Sequence, residues 1–462
     1  MLSNICSIVN PEMNAGRAQE DPGRGAGMNR RPVTALPTIS AAAIGVAPLD
    51  YVDHVLDNGL RAILVPDRRV PSVAINVVYR VGGKDDPPNR SGFAHLFEHL
   101  MFKGTARTAP ETIDRLTEDV GGYNNAFTSE DITNYYEVVP SNHLERLLWA
   151  EADRLAALEV NAQNFATERD VVIGEYDQRI LAEPYGMLDE LVNREAYLLH
   201  PYRRGVIGSP QELNAAALED VVAFHATYYR PDNAIVVVAG DLDPDETLAM
   251  IERWFGRIHT PSSPIPRVQV VEPPQAAERF YEHRAANVPL AAVEEVYHIP
   301  AAAHPDAAAL DVLETLLGSG RSSRLYSSLV YREQVATTAY ASADLREQPG
   351  LFSVRLICAR GVALAGARAA LAREMDRLLS EPPGEAELER VRTQIVSSLV
   401  RSRQMNNSVA IAVVRATAER GDPGLINGDL ERYLAVTGED LLRVARTYLR
   451  PQNRTVIEYL PA

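Results

Sequence analysis

The most constraining feature of this chain is a segment of its first half that recurs, at a constant offset, close to the C-terminus. Glu219-Asp220-Val221-Val222, leading on to Thr227-Tyr228-Tyr229-Arg230-Pro231-Asp232-Asn233, is matched by Glu439-Asp440-Leu441-Leu442, leading on to Thr447-Tyr448-Leu449-Arg450-Pro451-Gln452-Asn453. Seven of the fifteen aligned positions are identical, which favours duplication over chance. In each copy a helical stretch stops at Arg-Pro, because proline cannot donate to the preceding turn and its ring clashes with it. A β-rich run follows each stop, Ala234 to Val238 and Arg454 to Tyr459. The period is too long for a solenoid and predicts two similar domains. Strand-like runs mixed with helical runs make the expected class α+β. Each domain would be a mostly antiparallel sheet covered by helices on one face, and the two would face each other across a cleft.

Residues 1–50 read as a disordered leader, 51–258 as the first domain, 259–278 as a linker containing the Pro-rich stretch Pro261 to Pro274, and 279–462 as the second domain. Met28, followed by Arg30, Arg31 and an apolar stretch to Val46, has the outline of a poor signal peptide, although Pro32 and Pro37 interrupt it. A product begun at Met28 would suit the periplasm; otherwise a cytoplasmic location is the expectation. Composition excludes other classes. A net charge of −16, from 46 Lys+Arg and 62 Asp+Glu, repels nucleic-acid phosphates and attracts basic ligands. No uncharged apolar run reaches the ~18 residues of a membrane-spanning helix. Two cysteines far apart, Cys6 and Cys358, exclude a disulfide framework and a cysteine-based metal site.

Local patterns set the elements of the first domain. Asp57-Asn58-Gly59 between Val55-Leu56 and Leu60 to Val65 signals a hairpin. Ser72 to Val81 reads as a strand, and Gly92 to Phe102 and Glu111 to Val120 read as helices. Asn125 to Val139 reads as one strand, and Leu144 to Leu158 and Asn164 to Leu181 as long helices.

The chemistry is concentrated in Gly92-Phe93-Ala94-His95-Leu96-Phe97-Glu98-His99-Leu100-Met101-Phe102. On a helix, His95 and His99 stand one above the other, so both imidazoles can reach one ion. Glu98 lies at the edge of that face, where it can act on a water at the metal without being a ligand. Phe93, Leu96, Phe97 and Leu100 are left to bury the other faces. A catalytic zinc takes three protein ligands and keeps one position open, so this pair needs a third.

H-x-x-E-H is the inverted zinc signature, and from about Tyr51 onward the chain resembles the insulinase/pitrilysin family of zinc metallopeptidases. The likeness extends to the zinc-bearing subunit of the two-subunit bacterial and mitochondrial processing peptidases. The resemblance implies Glu175, well downstream of His99, as third ligand, and Glu168 as the residue that orients a ligand from behind it. It implies Glu98 as general base and one Zn²⁺ per chain, since the second-domain helix from Ala307 to Leu317 has no histidine. It also implies that Asn125, Ala126 and Phe127, after the Gly121-Gly122 turn, form an open edge that pairs with the backbone of a peptide substrate. His200-Pro201-Tyr202 and Gly318 to Leu325 match family features as well; the latter reads as a helix connection because it lacks the Gly-Lys-Ser/Thr of a phosphate loop.

One departure from the family pattern points to a partner. Family members complete in one chain carry an arginine and a tyrosine at a fixed interval in the second half. Alignment on Glu333-Gln334 puts Val330 and Thr337 at those positions, while Arg324 and Tyr331 keep the interval in the wrong register. The expectation is a heterodimer with a paralogous subunit that lacks zinc and supplies the Arg/Tyr pair, or otherwise a homodimer. The function implied is zinc-dependent endoproteolysis of unfolded peptides; the alternative is a non-catalytic scaffold or assembly subunit of the same fold.

Overall fold

The run Ser72–Tyr79 is apolar at nearly every position, as expected of a strand buried on both faces. The computed structural model describes residues 46–462 and places this run inside a six-stranded sheet. The strands are β1 Val52–Val55, β2 Arg61–Pro66, β3 Ser72–Tyr79, β4 Tyr123–Thr128, β5 Thr133–Pro140 and β6 Ala234–Gly240, in the order β1-β2-β6-β3-β5-β4. A second sheet comprises β7 Arg279–Ala285, β8 Ala292–His298, β9 Ala336–Asp344, β10 Leu351–Cys358 and β11 Arg454–Pro461, in the order β7-β11-β8-β10-β9. Without β1 the two orders are the same. Each sheet has one parallel pair, β2 with β6 and β7 with β11, among antiparallel neighbours. The molecule is a two-domain α+β fold built by duplication.

The repeated sequence does the same work in both copies. Helices Leu218–Tyr228 and Gly438–Tyr448 each stop just before the Arg-Pro step, and the chain then enters a central strand, β6 or β11. Asn233 donates through Nδ2 to the carbonyls of Tyr228 (2.8 Å) and Arg80 (3.3 Å); Asn453 donates to those of Tyr448 and His298, both at 2.8 Å. The shared asparagine therefore satisfies a carbonyl at the open helix end and ties it to the end of the neighbouring strand.

The two faces of each sheet are covered from different halves of the chain. In the first sheet Leu64, Ile75, Val77 and Val238 face helices of their own half. Ile63, Ala74, Val237 and Ala239 face Val409, Ala410, Val413 and Val414 of helix Asn406–Arg420, from the second half. Reciprocally, Leu188 and Leu191 of helix Gly186–Ala196, from the first half, pack on Ala292, Ile457 and Tyr459 of the second sheet. The expectation of helices on one face is thus corrected: each sheet is covered on both, which is why Ala234 to Ala239 is apolar without alternation. A cleft of about 420 Å³ lies between the halves, lined by Glu130, Asp189 and Asn193 of the first and by Tyr340, Arg355 and Arg415 of the second.

One further detail differs from the sequence reading. Asn125 to Val139 is two strands, β4 and β5, because Ser129 closes a turn without glycine or proline. Its N–H donates to Ile132 O at 2.8 Å, and its hydroxyl accepts from Ile132 N at 3.2 Å. The 259–278 segment has no regular structure but is pinned, with Glu272 accepting backbone N–H groups from Leu198, Leu199 and His200. The expected leader lies outside the described residues up to 45; within its last few positions, Leu49 exchanges two hydrogen bonds with Asn427. Among the described residues no helix is long and apolar enough to cross a membrane.

The exchanged helices make a direct prediction. A fragment ending at residue 258 lacks helix Asn406–Arg420 and exposes one face of the first sheet, so it should show no cooperative thermal transition by circular dichroism. Mixing it with the complementary fragment from 259 should restore one. A fragment that melts cooperatively alone would contradict this packing.

Candidate metal centre

Helix Phe93–Leu100 is held at its start and along its buried side. Gly92 precedes it with φ +92°, and a Cβ there would lie 2.5 Å from Ile207 O, so only glycine fits this approach. Gly92 has no side chain to cap the helix, and Asp86 does so instead, accepting the N–H groups of Gly92 (2.6 Å) and Ala94 (2.9 Å). A cap of this kind contributes about 1 kcal/mol. Phe93, Leu96, Phe97 and Leu100 are buried as expected, and Tyr135 donates its hydroxyl to Phe97 O at 3.0 Å. The helix therefore has little freedom to rotate or slide.

His95 and His99 project from this helix toward helix Ala162–Tyr176, which begins at Asn161, a capping residue that accepts from Gln163 N and Asn164 N. One donor atom each from His95, His99 and Glu175 lies within 4.8 Å of the others. Glu175 Oε2 is 3.6 Å from His95 Nε2 and 3.4 Å from His99 Nε2. Glu168, two turns earlier on the same helix, faces the far side of the second ring, with Oε2 3.6 Å from His99 Nδ1. Lys103 Nζ holds its other oxygen at 3.1 Å, and Arg179 holds Glu175 Oε1 at 2.5 Å. Among the described residues no other group of three His, Cys, Asp or Glu side chains converges in this way. Two imidazoles and a carboxylate are a donor set that fits zinc. The buried Nδ1 of His95 has no hydrogen-bond partner, leaving Nε2 as the nitrogen aimed at the cluster.

The charges explain why the cluster can hold a cation. Burial pushes His95 down to about 4, and the neighbouring His99 adds to the effect. Burial also opposes charge on His99, but the Glu168 and Glu175 carboxylates outweigh it and lift that imidazole to about 9. Contact with His99 holds Glu175 down at about 2, against the cost of burial and with help from His95 and Arg179. The site thus presents one neutral histidine, one that keeps its proton, and two ionised carboxylates.

Glu98 sits on the same helix, and its Oε2 accepts a 2.6 Å hydrogen bond from Thr128 Oγ1. Burial raises its carboxyl above the ordinary range, although Thr128 and His99 pull the other way. Thr128 ends β4, the outermost strand of its sheet, which also carries Asn125, Ala126 and Phe127. Asn125 is exposed and Ala126 and Phe127 are half-buried, and among the described residues only one side of β4 is paired, with β5. Helix Ala307–Gly318 of the second half carries Asp311, Glu314 and Thr315 at the same spacing as His95, Glu98 and His99. In the Arg/Tyr region, Arg324 is buried in a two-point ion pair with Glu387 (2.8 and 2.7 Å), while Tyr331 is 76% exposed. Sequence reasoning did not single out Thr128, Arg179 or Lys103. Only Arg179 had a local signal, its position one helical turn after Glu175.

Comparisons with known proteins bear on most of the chain. The family model described as Insulinase (Peptidase family M16) matches residues 61–209, and that described as Peptidase M16 inactive domain matches residues 216–395. A Helicobacter pylori protein named Zinc protease PqqE is 31% identical over 414 residues, covering 88% of this chain and 92% of that one. An Arabidopsis thaliana protein named "Probable mitochondrial-processing peptidase subunit beta, mitochondrial" is 26% identical over 408 residues, covering 85% of this chain and 75% of that one. Among solved structures, the crystal structure of a protease from Helicobacter pylori matches with a TM-score of 0.86 at 27% identity, covering 89% of this chain and 99% of that chain.

A divalent ion bound by His99 must displace its proton, whereas His95 and Glu175 have none to lose at mildly acid pH. Zinc added at about pH 6 should therefore release about one proton per site, measured by calorimetry in buffers of different ionisation enthalpy. Affinity should rise with pH until His99 is neutral, near 9. Binding without proton release would contradict the charge assignment.

Proposed function

The chain belongs to the insulinase family, peptidase family M16, and from that premise we propose that it is a zinc-dependent endopeptidase acting on unfolded peptides. The observation that carries the reading is the convergence of His95, His99 and Glu175 within 4.8 Å, with Glu98 on the same short helix as the histidines. A bound zinc ion supplies Lewis-acid chemistry, polarising a peptide carbonyl and acidifying water. His95, His99 and Glu175 would hold it. Glu168 keeps the His99 ring turned so that Nε2 faces Glu175 and would be free to bind the ion, and Lys103 keeps Glu168 in place. Glu98 takes the water proton as general base and passes it to the leaving amine. Its burial makes it a better base than an exposed carboxylate.

The side of β4 left unpaired among the described residues suits an extended substrate. A peptide added there as a further strand would be held by main-chain hydrogen bonds along Asn125, Ala126 and Phe127, largely regardless of sequence. The net charge of −16 favours basic peptides.

The second half supports a two-subunit enzyme. The residues in the Arg/Tyr register are Val330 and Thr337, and neither can supply a cation or a phenol. Arg324 is committed to Glu387. A paralogous subunit without zinc would provide the missing pair, as the subunit name of the Arabidopsis thaliana relative suggests. A homodimer is the simpler assembly.

Glu98→Gln should keep zinc and lose turnover by at least about a hundredfold, while His95→Ala and Glu175→Ala should lose zinc. Elemental analysis alongside mass-spectrometric mapping of cut peptides separates the two outcomes. A Glu98→Gln protein that still cuts would remove Glu98 as base. Full activity of the purified chain without a second polypeptide would remove the hetero-subunit proposal.

A further inference from the structure

We infer that Thr128 is a positioning residue for the general base: its hydroxyl fixes the Glu98 carboxylate and links it to the strand that seats the peptide. The inference rests on the peptidase reading above. It is carried by the 2.6 Å hydrogen bond from Thr128 Oγ1 to Glu98 Oε2, the one hydrogen bond to that carboxylate among the described residues. With Oε2 engaged by a donor, Oε1 is the oxygen left to take up a proton. Without the hydroxyl, the carboxylate would lose its one hydrogen-bond partner among the described residues, and its terminal torsion is broad and only roughly two-fold.

Thr128 is itself held from both directions. It pairs in register with Thr133 on β5, and Ser129 closes the next turn. Within that turn Asp131 is gripped by three separate segments. Lys84 Nζ donates to Oδ1 at 2.7 Å, Tyr202 Oη donates to the same oxygen at 2.5 Å, and the Glu347 N–H donates to Oδ2 at 2.9 Å. Glu347 lies in the β9–β10 connection of the second half, the counterpart of the turn it holds. The zinc-free half therefore steadies the end of β4, and through Thr128 the base.

The duplicated half provides an internal comparison. There Glu314, on helix Ala307–Gly318, accepts the backbone N–H of Ala343 on β9 at 3.2 Å. The tie from helix to edge strand is the same, but a main-chain donor makes it where no histidine is present. A structural link needs only that. In the first half the donor is a side-chain hydroxyl, which serine retains and valine lacks.

The test compares Thr128→Val and Thr128→Ser with wild type, alone and combined with Glu98→Gln, using a fluorogenic unstructured peptide that the wild type cuts. Zinc content and thermal midpoint are followed in parallel; valine suits a strand and fills the same space. Thr128→Val should lower kcat about tenfold or more, as loss of an orienting partner does, with KM changed by less than about twofold. Thr128→Ser should recover most of kcat. On the Glu98→Gln background Thr128→Val should cost nothing further. An active wild type with Thr128→Val unaltered, or with Thr128→Ser as poor as Thr128→Val, would overturn the role of Thr128 and leave the peptidase reading standing. A zinc-loaded wild type that cuts no peptide, even with its sister subunit, would overturn both.

Discussion

Two imidazoles and two carboxylates share one corner of the helical layer over the first sheet, and much of the local architecture answers to that crowding. Burial drives His95, nearly sealed from solvent, toward its neutral form, while Glu168 and Glu175, facing His99 from the packed helix Ala162–Tyr176, favour the charged form of that ring. Charges placed this close in a partly desolvated site interact strongly, so small displacements would change the protonation of the whole set. The helix bearing the histidines is accordingly anchored by groups outside it: Asp86 at its start, Tyr135 at Phe97, and a glycine contact where any Cβ would clash. Arg179 and Lys103 take up the outer carboxylate oxygens. What remains facing inward is a set of donors suited to one divalent cation.

Duplication explains how a rigid site can coexist with an open edge. Edge strands are prone to stray pairing, yet β4 must stay open if a peptide is to join it. The turn beyond β4 is clamped by Lys84, Tyr202 and the second half's Glu347, so the strand is braced at its end rather than along its side. The second half has kept the helix and the strand order but not the histidines. It serves as a brace, and its exchanged helix Asn406–Arg420 also completes the first sheet's core. Neither half is finished without the other.

The parts of this arrangement legible in sequence are those with local periodicity or direct repetition. His95, Glu98 and His99 announce themselves through helical spacing, and the recurrence of the Arg-Pro segment announces two sheets of one design. Glu175 has no local signal, since a contact so distant along the chain depends on how two helices pack; only family resemblance pointed to it. The β4–β5 hairpin was hidden because a serine side chain closes it. The helix exchange was hidden for a related reason. An apolar stripe such as Val409, Ala410, Val413 and Val414 shows that a face is buried but not which sheet buries it. Thr128 stands next to the named edge residues, but its role depends on Glu98, a partner remote from it in sequence.

Everything proposed for this site turns on one zinc ion held between the two imidazoles and the carboxylate of Glu175. Anomalous diffraction at the zinc absorption edge, on crystals of the metal-loaded chain, tests this most directly. The expected result is a single strong peak per chain, about 2.0–2.2 Å from His95 Nε2, His99 Nε2 and an oxygen of Glu175. A peak elsewhere, or a Glu175 side chain turned away from the histidines in the metal-loaded protein, would contradict it.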